Sequence, residues 1–252
     1  MTMISTSYVY DTIRTLIRKD QQGNAFNITE YNNVIQLVNI EFYNTLAAQV
    51  GEDSSNLESL KQFVTIGETI GLTNGKSALP GDYDRLLGKP YWVSGSDTIP
   101  IDPISSIEKS DRLNDELTKP TTAHPIFILG DDPLASGTYG LQVYPITGIS
   151  AIFIDYLSIP ATPFLDYYVL STGVYVYLDE GATSIALPSG ATYRDGTVGP
   201  DTIATSQTVD FEWETHETSI IINMILQKGG LILKDESAIQ YGIAKETKEE
   251  QQ

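Results

Sequence analysis

The hydrophobic positions along the chain change their period twice. In SYVYDTIRTLIRKD, Val9, Ile13, Leu16 and Ile17 fall on one stripe at helical spacing, and Arg18-Lys19 stands at the end where the helix dipole favours cations. QQGN breaks the pattern. NITEYNNVIQLVNIEFYNTLAAQVG then sets Tyr31, Ile35, Val38, Phe42 and Leu46 on one face. Leu37, Ile40, Tyr43 and Ala47 widen that face, so this helix is expected to be buried on two sides. Asn27 or Thr29 would cap it, and Ser55-x-x-Glu58 reads as a capping box for a third helix through Leu60 to Phe63.

From about residue 65 the period shortens to two, and glycine, proline and threonine become frequent. TIGETIGLTNGKSALP reads as a hairpin, and GLQVYPITGISAIFIDYLSIPATP as two strands around a Pro145–Gly148 turn. DYYVLSTGVYVYLDEGATSIALPSG reads as a meander, with Val174, Val176 and Leu178 on one face and Tyr175 and Tyr177 on the other. The polar stretch IEKSDRLNDELTKPTTAHPIF should end extended, because a residue before proline is held out of the helical region. Helical spacing returns near residue 212. FEWETHETSIIINMILQKGG puts Glu212, Glu214 and Glu217 at a helix start and Lys228 at its end, with Gly229-Gly230 as the stop. Asp235 follows as an N-cap for ESAIQYGIAKETKEEQQ.

These patterns predict helices near 6–19, 29–50, 55–63, 214–228 and 236–248, with antiparallel strands between about 66 and 205. The expected fold class is α+β: N- and C-terminal helices packed together, with a central antiparallel β-rich domain inserted between them. The corresponding division is 1–65 together with 212–252 as the helical part, 66–211 as the β-rich insertion, and 235–252 as a C-terminal arm.

The segment GLTNGKS, residues 71–77, is one residue short of a phosphate-binding loop. Gly75-Lys76-Ser77 supplies the second half of G-x-x-x-x-G-K-[ST], but Ile70 stands where the first glycine belongs. Such a loop needs its full length for consecutive N–H groups to converge on one anion. Asn74-Gly75 is also a strong signal for a type I′ hairpin turn. The expectation is a turn, without a nucleotide.

Composition narrows the chemistry. The chain has 252 residues, no cysteine and two histidines, His124 and His216, which leaves little for a thiolate, a His-based triad or a His metal site. No apolar run is long enough to span a bilayer, and the N-terminus lacks an apolar signal core, so a soluble, reduced protein with no membrane partner is expected. The net charge of −18 disfavours tight nucleic-acid binding, which relies on Lys and Arg releasing counterions. That charge serves solubility, or a surface that must sit near DNA without gripping it.

The near-motifs fail one by one. His216-Glu217 opens like H-E-x-x-H, but Ile220 takes the second histidine's place. Asp131-Asp132 lacks the spacing of a calcium loop, and Ser136-Gly137 and Ser189-Gly190 lack the G-x-S-x-G frame. No catalytic, cofactor-binding or metal-binding set is expected, and so no cofactor.

Several segments, taken in order, resemble the neck proteins of tailed bacteriophages, the head-to-tail adaptor or tail-tubular-protein-A-like group found in short-tailed and crAss-like phages. Leu79-Pro80-Gly81-Asp82-Tyr83 is similar to the group's L-P-x-D-[FY]. Lys119-Pro120-Thr121-Thr122-Ala123-His124-Pro125-Ile126 is similar to x-P-T-x-x-P-x-[YF]. Leu141-Gln142-Val143-Tyr144-Pro145 and Ile152-Phe153-Ile154-Asp155-Tyr156-Leu157-Ser158-Ile159-Pro160 resemble the paired runs ending in Y-P and Y-x-[RK]-x-P. DFEWETHETSIIINMILQKGGLILKD resembles the late segment around its tryptophan, so the likeness extends from residue 28 to 241. Order and spacing carry it. Ser158 departs from the basic residue frequent there, and no charge contact is carried over to it.

The resemblance implies a non-enzymatic virion protein, assembled in the bacterial cytoplasm. It implies a homo-oligomeric ring, conventionally twelve-fold, below the portal and around a DNA channel. An acidic wall would let DNA slide without sticking. The apolar stripe Ala238, Ile239, Gly242 and Ile243, with Tyr241 as anchor, makes 235–252 the expected arm toward the portal or a neighbouring ring, through Ile239, Tyr241 and Ile243. Two other classes compete. One is a receptor- or carbohydrate-binding tail module. The other is an envelope hydrolase, for which Asp131, Asp132, Asp155 and Glu180 are the candidates.

Overall fold

Asn27 begins the longest helix by a reciprocal cap. Its side-chain oxygen accepts from the Glu30 N–H at 2.8 Å, and the Glu30 carboxylate accepts from the Asn27 N–H at 3.1 Å. This is a computed structural model that describes residues 3–17, 27–49, 58–131 and 139–233. The fold is α+β, with helices at both ends of the described chain and several antiparallel sheets between them.

In chain order the elements begin with strand β1 (Met3–Ile4), helix α1 (Thr6–Ile17) and helix α2 (Ile28–Ala48). After a 3-10 turn (Lys61–Phe63) come β2 (Val64–Gly71), β3 (Lys76–Ala78), β4 (Tyr83–Leu86), β5 (Tyr91–Ser94), β6 (Asp97–Pro100) and β7 (Asp102–Pro103). A short helix α3 (Lys109–Asn114) leads to β8 (Ile126–Asp131), β9 (Tyr139–Tyr144) and β10 (Ala151–Ser158). The remainder is β11 (Asp166–Val169), β12 (Tyr175–Leu178), β13 (Thr183–Ala186), β14 (Thr192–Tyr193), β15 (Thr202–Thr205), β16 (Phe211–Glu214) and helix α4 (Thr218–Leu233).

Two compact units divide the chain. One takes the described residues up to Gln62 together with those from Pro160 onward, and the other is Phe63–Ile159. The expected insertion 66–211 is therefore divided between them, since the strands after Pro160 lie with the helices. Two buried amides explain this. Asn32 and Asn39, two turns apart on α2, bind the backbone of the returning chain. The Asn32 amide donates to Leu165 O and accepts from Leu165 N, both at 2.9 Å. Asn39 donates to Ala161 O at 3.0 Å and accepts from Trp213 Nε1 at 2.7 Å. Outside its Phe164–Val209 bridge, the buried backbone of this returning segment needs such acceptors and donors.

The first unit's core comes from α1, α2, β16 and α4. Val9, Ile13, Tyr31, Val34, Ile35, Val38, Phe211, Trp213, Ile221 and Ile225 are all fully buried. The Phe42 ring packs on Trp213 with centroids 4.6 Å apart. Tyr31 donates to Thr6 O at 2.8 Å, and the Asp210 carboxylate accepts from the Thr6 N–H at the start of α1, where a negative charge is favoured. Along α2, Tyr43 and Ala47 are buried as expected, but Leu37 and Ile40 are 57% and 38% exposed. The expectation of burial on two sides is corrected for those two positions.

The C-terminal helix differs from its reading in two places. Residues 211–214 are strand, antiparallel to β1, and α4 begins only at Thr218 after a 3-10 turn (Thr215–Glu217). Phe211 and Trp213 alternate inward while Glu212 and Glu214 stay half-buried, so period two wins over the run of acids. Glu212 instead accepts from the Ala161 N–H at 2.7 Å. At the other end, α4 passes through Gly229-Gly230 to Leu233 and is not stopped there. Glycine disfavours a helix interior by only about 1 kcal/mol each; Gly229 is buried, and apolar residues continue after it.

The second unit packs two sheets around one core. One has the order β2-β10-β5-β6, with β4 also on β10, and the other is β3-β9-β8-β7. Ile70, Ile101, Phe127, Leu141, Val143, Ile152, Ile154 and Tyr156 fill the space between them. The expected hairpins do form turns, but their two arms enter different sheets: β2 pairs with β10 while β3 pairs with β9. Helix α3 lies within the polar stretch, ahead of the part expected to be extended, and is preceded by reciprocal bonds between Ser105 and Glu108.

The expected helix 55–63 is described only from Glu58, where a helical turn leads into the 3-10 turn. The expected helix 236–248, the arm 235–252 and its residues Ile239, Tyr241 and Ile243 lie outside the described residues.

Candidate functional site

GLTNGKS is a hairpin turn. Thr73 and Lys76 exchange backbone hydrogen bonds of 2.8 and 3.1 Å, and Asn74 and Gly75 have φ of 53° and 72°. Positive φ at both central residues defines a type I′ turn. The Gly75 carbonyl accepts from Val143 N–H at 2.7 Å, which seats the turn on β9. Lys76 is a strand residue opposite Gln142, so no N–H cradle precedes it.

Each described hydrolase candidate has its own place in the fold. Asp155 is on β10, where its Oδ1 accepts from Gly67 N–H at 2.8 Å across a bulge. Glu180 is an exposed turn residue after β12, in the other unit. Asp131 ends β8, and Asp132 lies outside the described residues. His124 closes a tight turn with Thr121. His216 sits between two carboxylates, 3.3 Å from Glu214 through Nδ1 and 3.1 Å from Glu217 through Nε2. Those carboxylates face opposite ring nitrogens and do not converge. Among the described residues, no group of three His, Asp or Glu side chains could hold a metal ion.

Among the described residues is a heavily bonded ionisable group that the sequence reading did not single out. Asp166, fully buried on β11, accepts from Tyr193 Oη at 2.5 Å, Arg194 Nε at 2.8 Å, and the Tyr167 and Gln207 N–H groups at 2.9 Å each. The Arg194 guanidinium also bonds the Gln207 carboxamide and lies 5.0 Å from the Phe164 ring centroid. Burial pushes the Tyr193 phenol up, and its bond to Asp166 adds to this. Four donors on one carboxylate make a closed lock on the strands around it, with no lone pair aimed at solvent.

A second linkage joins this β-region to α1. Tyr177 Oη donates to Asp11 Oδ2 at 2.7 Å and its ring meets Tyr10 edge-on at 6.2 Å. The hydrogen bond to Asp11 and partial burial push the Tyr177 phenol up to about 12.

What remains open is surface. A groove of about 440 Å³ is lined by Met3, Ile4, Ser5, Tyr8, Thr215 and Thr218. A second of about 310 Å³ continues along α1 past Tyr8 to Leu16, and its one carboxylate, Asp11, is the partner of Tyr177. On α2 the exposed side carries Asn33, Gln36, Leu37, Ile40 and Asn44. The two grooves are lined by apolar and hydroxyl side chains with Asp11, and the α2 side by apolar and amide ones.

No helix among the described residues is long and apolar enough to cross a membrane. No protein-family model matches the chain. No curated protein matches it either.

Proposed function

We propose that this chain is a structural subunit of a bacteriophage neck, a head-to-tail adaptor that assembles as a ring below the portal and surrounds the DNA channel. The observation that carries the reading is that segments read as adaptor-like, far apart in sequence, meet in space. Asp82 of LPGDY accepts from Tyr156 Oη of IFIDYLSIP at 3.2 Å, and its carbonyl accepts from the Ile159 N–H at 2.7 Å. Ile126, which ends KPTTAHPI, pairs with Tyr144 of LQVYP. Trp213 of DFEW is fully buried. A set of motifs that support one another's geometry is what a shared fold would retain.

In this reading the N- and C-terminal helices form the platform of the subunit. Glu41 on α2 and Lys228 on α4 are joined by an ion pair of 2.9 Å, consistent with that role. The unit Phe63–Ile159 would be the inserted part, and Ile239, Tyr241 and Ile243 would face the portal or a neighbouring ring. The chain acts without catalysis and without a cofactor. Negative-stain electron microscopy of the purified protein, over a range of concentrations, tests this. Closed rings, conventionally twelve-fold, are expected; particles that stay monomeric throughout would overturn the assignment.

A further inference from the structure

We infer that the exposed face of α2 is one half of the contact between copies of this chain, an inference that rests on the ring reading above. The face is unusual for its lack of charge. Of the 21 residues of α2, only Glu30 and Glu41 are ionisable acids or bases with a full charge, in a chain of net charge −18. Both are already engaged: Glu30 in the cap on Asn27, and Glu41 with Lys228 at 2.9 Å. Along the helix beside them runs a stripe of Asn33, Gln36, Leu37, Ile40, Asn44 and Ala48, all exposed and all uncharged. At 100° per residue these positions fall within an arc of about 120°, a single ridge along the helix.

Charge decides the occupant. Two copies that each carry −18 repel wherever their acidic surfaces approach, so a copy–copy contact is least opposed at a neutral face. A basic partner would gain more from the acidic surfaces and would have no reason to choose this one. Depletion of charge with apolar residues at the centre is the composition of an interface core. Leu37 and Ile40 supply the apolar centre, and the asparagine and glutamine amides on either side are donors and acceptors together, able to pair with another uncharged polar surface.

Size sets the limit of the claim. A ridge of 21 residues is about 30 Å long and about 10 Å wide, so it offers roughly 300 Å². A standard interface buries about 800 Å² on each partner, so α2 forms the centre of the contact and other segments complete its rim. Because a ring contact is heterologous, the neighbour meets this ridge with a different surface.

The test uses the full chain. Leu37→Glu places a carboxylate at the centre of the ridge while changing an already exposed side chain. Wild type and variant are compared by sedimentation velocity and negative stain, with circular dichroism as the check on folding. The expected result is wild-type rings and a folded variant that stays monomeric at concentrations at least tenfold above those at which wild type assembles. A variant that assembles like wild type overturns this inference and leaves the ring reading standing. A wild type that never assembles overturns the ring reading and this inference with it. Since the sequence has no cysteine, Leu37→Cys gives a unique thiol and a second measurement that does not depend on the glutamate variant folding. Maleimide should label it quickly in dilute monomer and at least tenfold more slowly in the ring. Slow labelling already in dilute monomer would show that the chain's own residues cover the ridge, and would overturn the inference.

Discussion

Asp166 illustrates how a single buried charge can hold a region with little other core. The small cluster of Leu178, Leu187, Ala191 and Tyr193 is the apolar centre of the surrounding strands, and the Asp166 carboxylate ties four separate donors across them. Removing the carboxylate leaves Arg194, the Tyr193 hydroxyl and two N–H groups without their acceptor. Asp166→Ala should cost about 3 kcal/mol, the low end for breaking a buried ion pair, because Arg194 keeps 28% of its side chain exposed. The urea unfolding midpoint checks this, and a loss below about 1 kcal/mol would mean that the network is replaceable by water. Tyr177 gives a pH prediction. Its phenol is raised from 10 to about 12, first by its bond to Asp11 and then by burial. The folded state thus holds that proton more tightly than the unfolded chain does. The resulting stabilisation is complete below about pH 10 and is lost as pH rises toward 12. A Tyr177 ¹³Cζ resonance that titrates near 12 is expected, and a midpoint near 10 would show that the bond to Asp11 does not persist in solution.

Elements were legible where the pattern was long and one-sided. Over α2, Tyr31, Ile35, Val38 and Phe42 recur at helical spacing and are all buried, and the Asn27 cap marks its start. The type I′ turn at Asn74-Gly75 was legible because only residues that tolerate positive φ fit there. It also makes a sharp prediction. A Cβ at Gly75 would lie 2.7 Å from Val143 O, and φ there is +72°. Gly75→Ala should therefore destabilise the second unit by about 2 kcal/mol, from backbone strain and a displaced β9 contact; an unchanged thermal midpoint would count against the turn. Legibility failed where two local codes competed. Glu212, Glu214 and Glu217 resemble an acidic helix start, yet Phe211 and Trp213 alternate into the core, and tertiary burial decided for strand. Gly229-Gly230 looks like a helix stop, yet α4 continues through it. Nor could spacing reveal that Asn32 and Asn39 would bind residues more than a hundred positions away, or which of 33 acidic residues would be locked beside Arg194. Those partnerships exist only once the chain has folded.

At the scale of the whole molecule, charge is the property most directly tied to the proposed DNA channel. A duplex is held electrostatically when Lys and Arg displace its condensed counterions. This chain has 15 such residues against 33 Asp and Glu, and many of the described cations are already committed. Lys61 is paired with Glu214 at 3.1 Å, Arg85 with Asp84 at 2.7 Å, Lys89 with Asp102 at 2.8 Å, Arg194 with Asp166 at 2.8 Å and Lys228 with Glu41 at 2.9 Å. Lys109 donates to Gln142 and lies over the Tyr144 ring. To bind phosphate, each of the five ion-paired cations would first have to leave a carboxylate that repels the incoming strand. The expectation is no saturable binding of duplex DNA at about 0.15 M salt, where the Debye length is about 8 Å and only charges close to the duplex count. Electrophoretic retardation of a short duplex by micromolar protein at that salt would overturn it, and with it the proposal that the acidic balance keeps DNA free to slide.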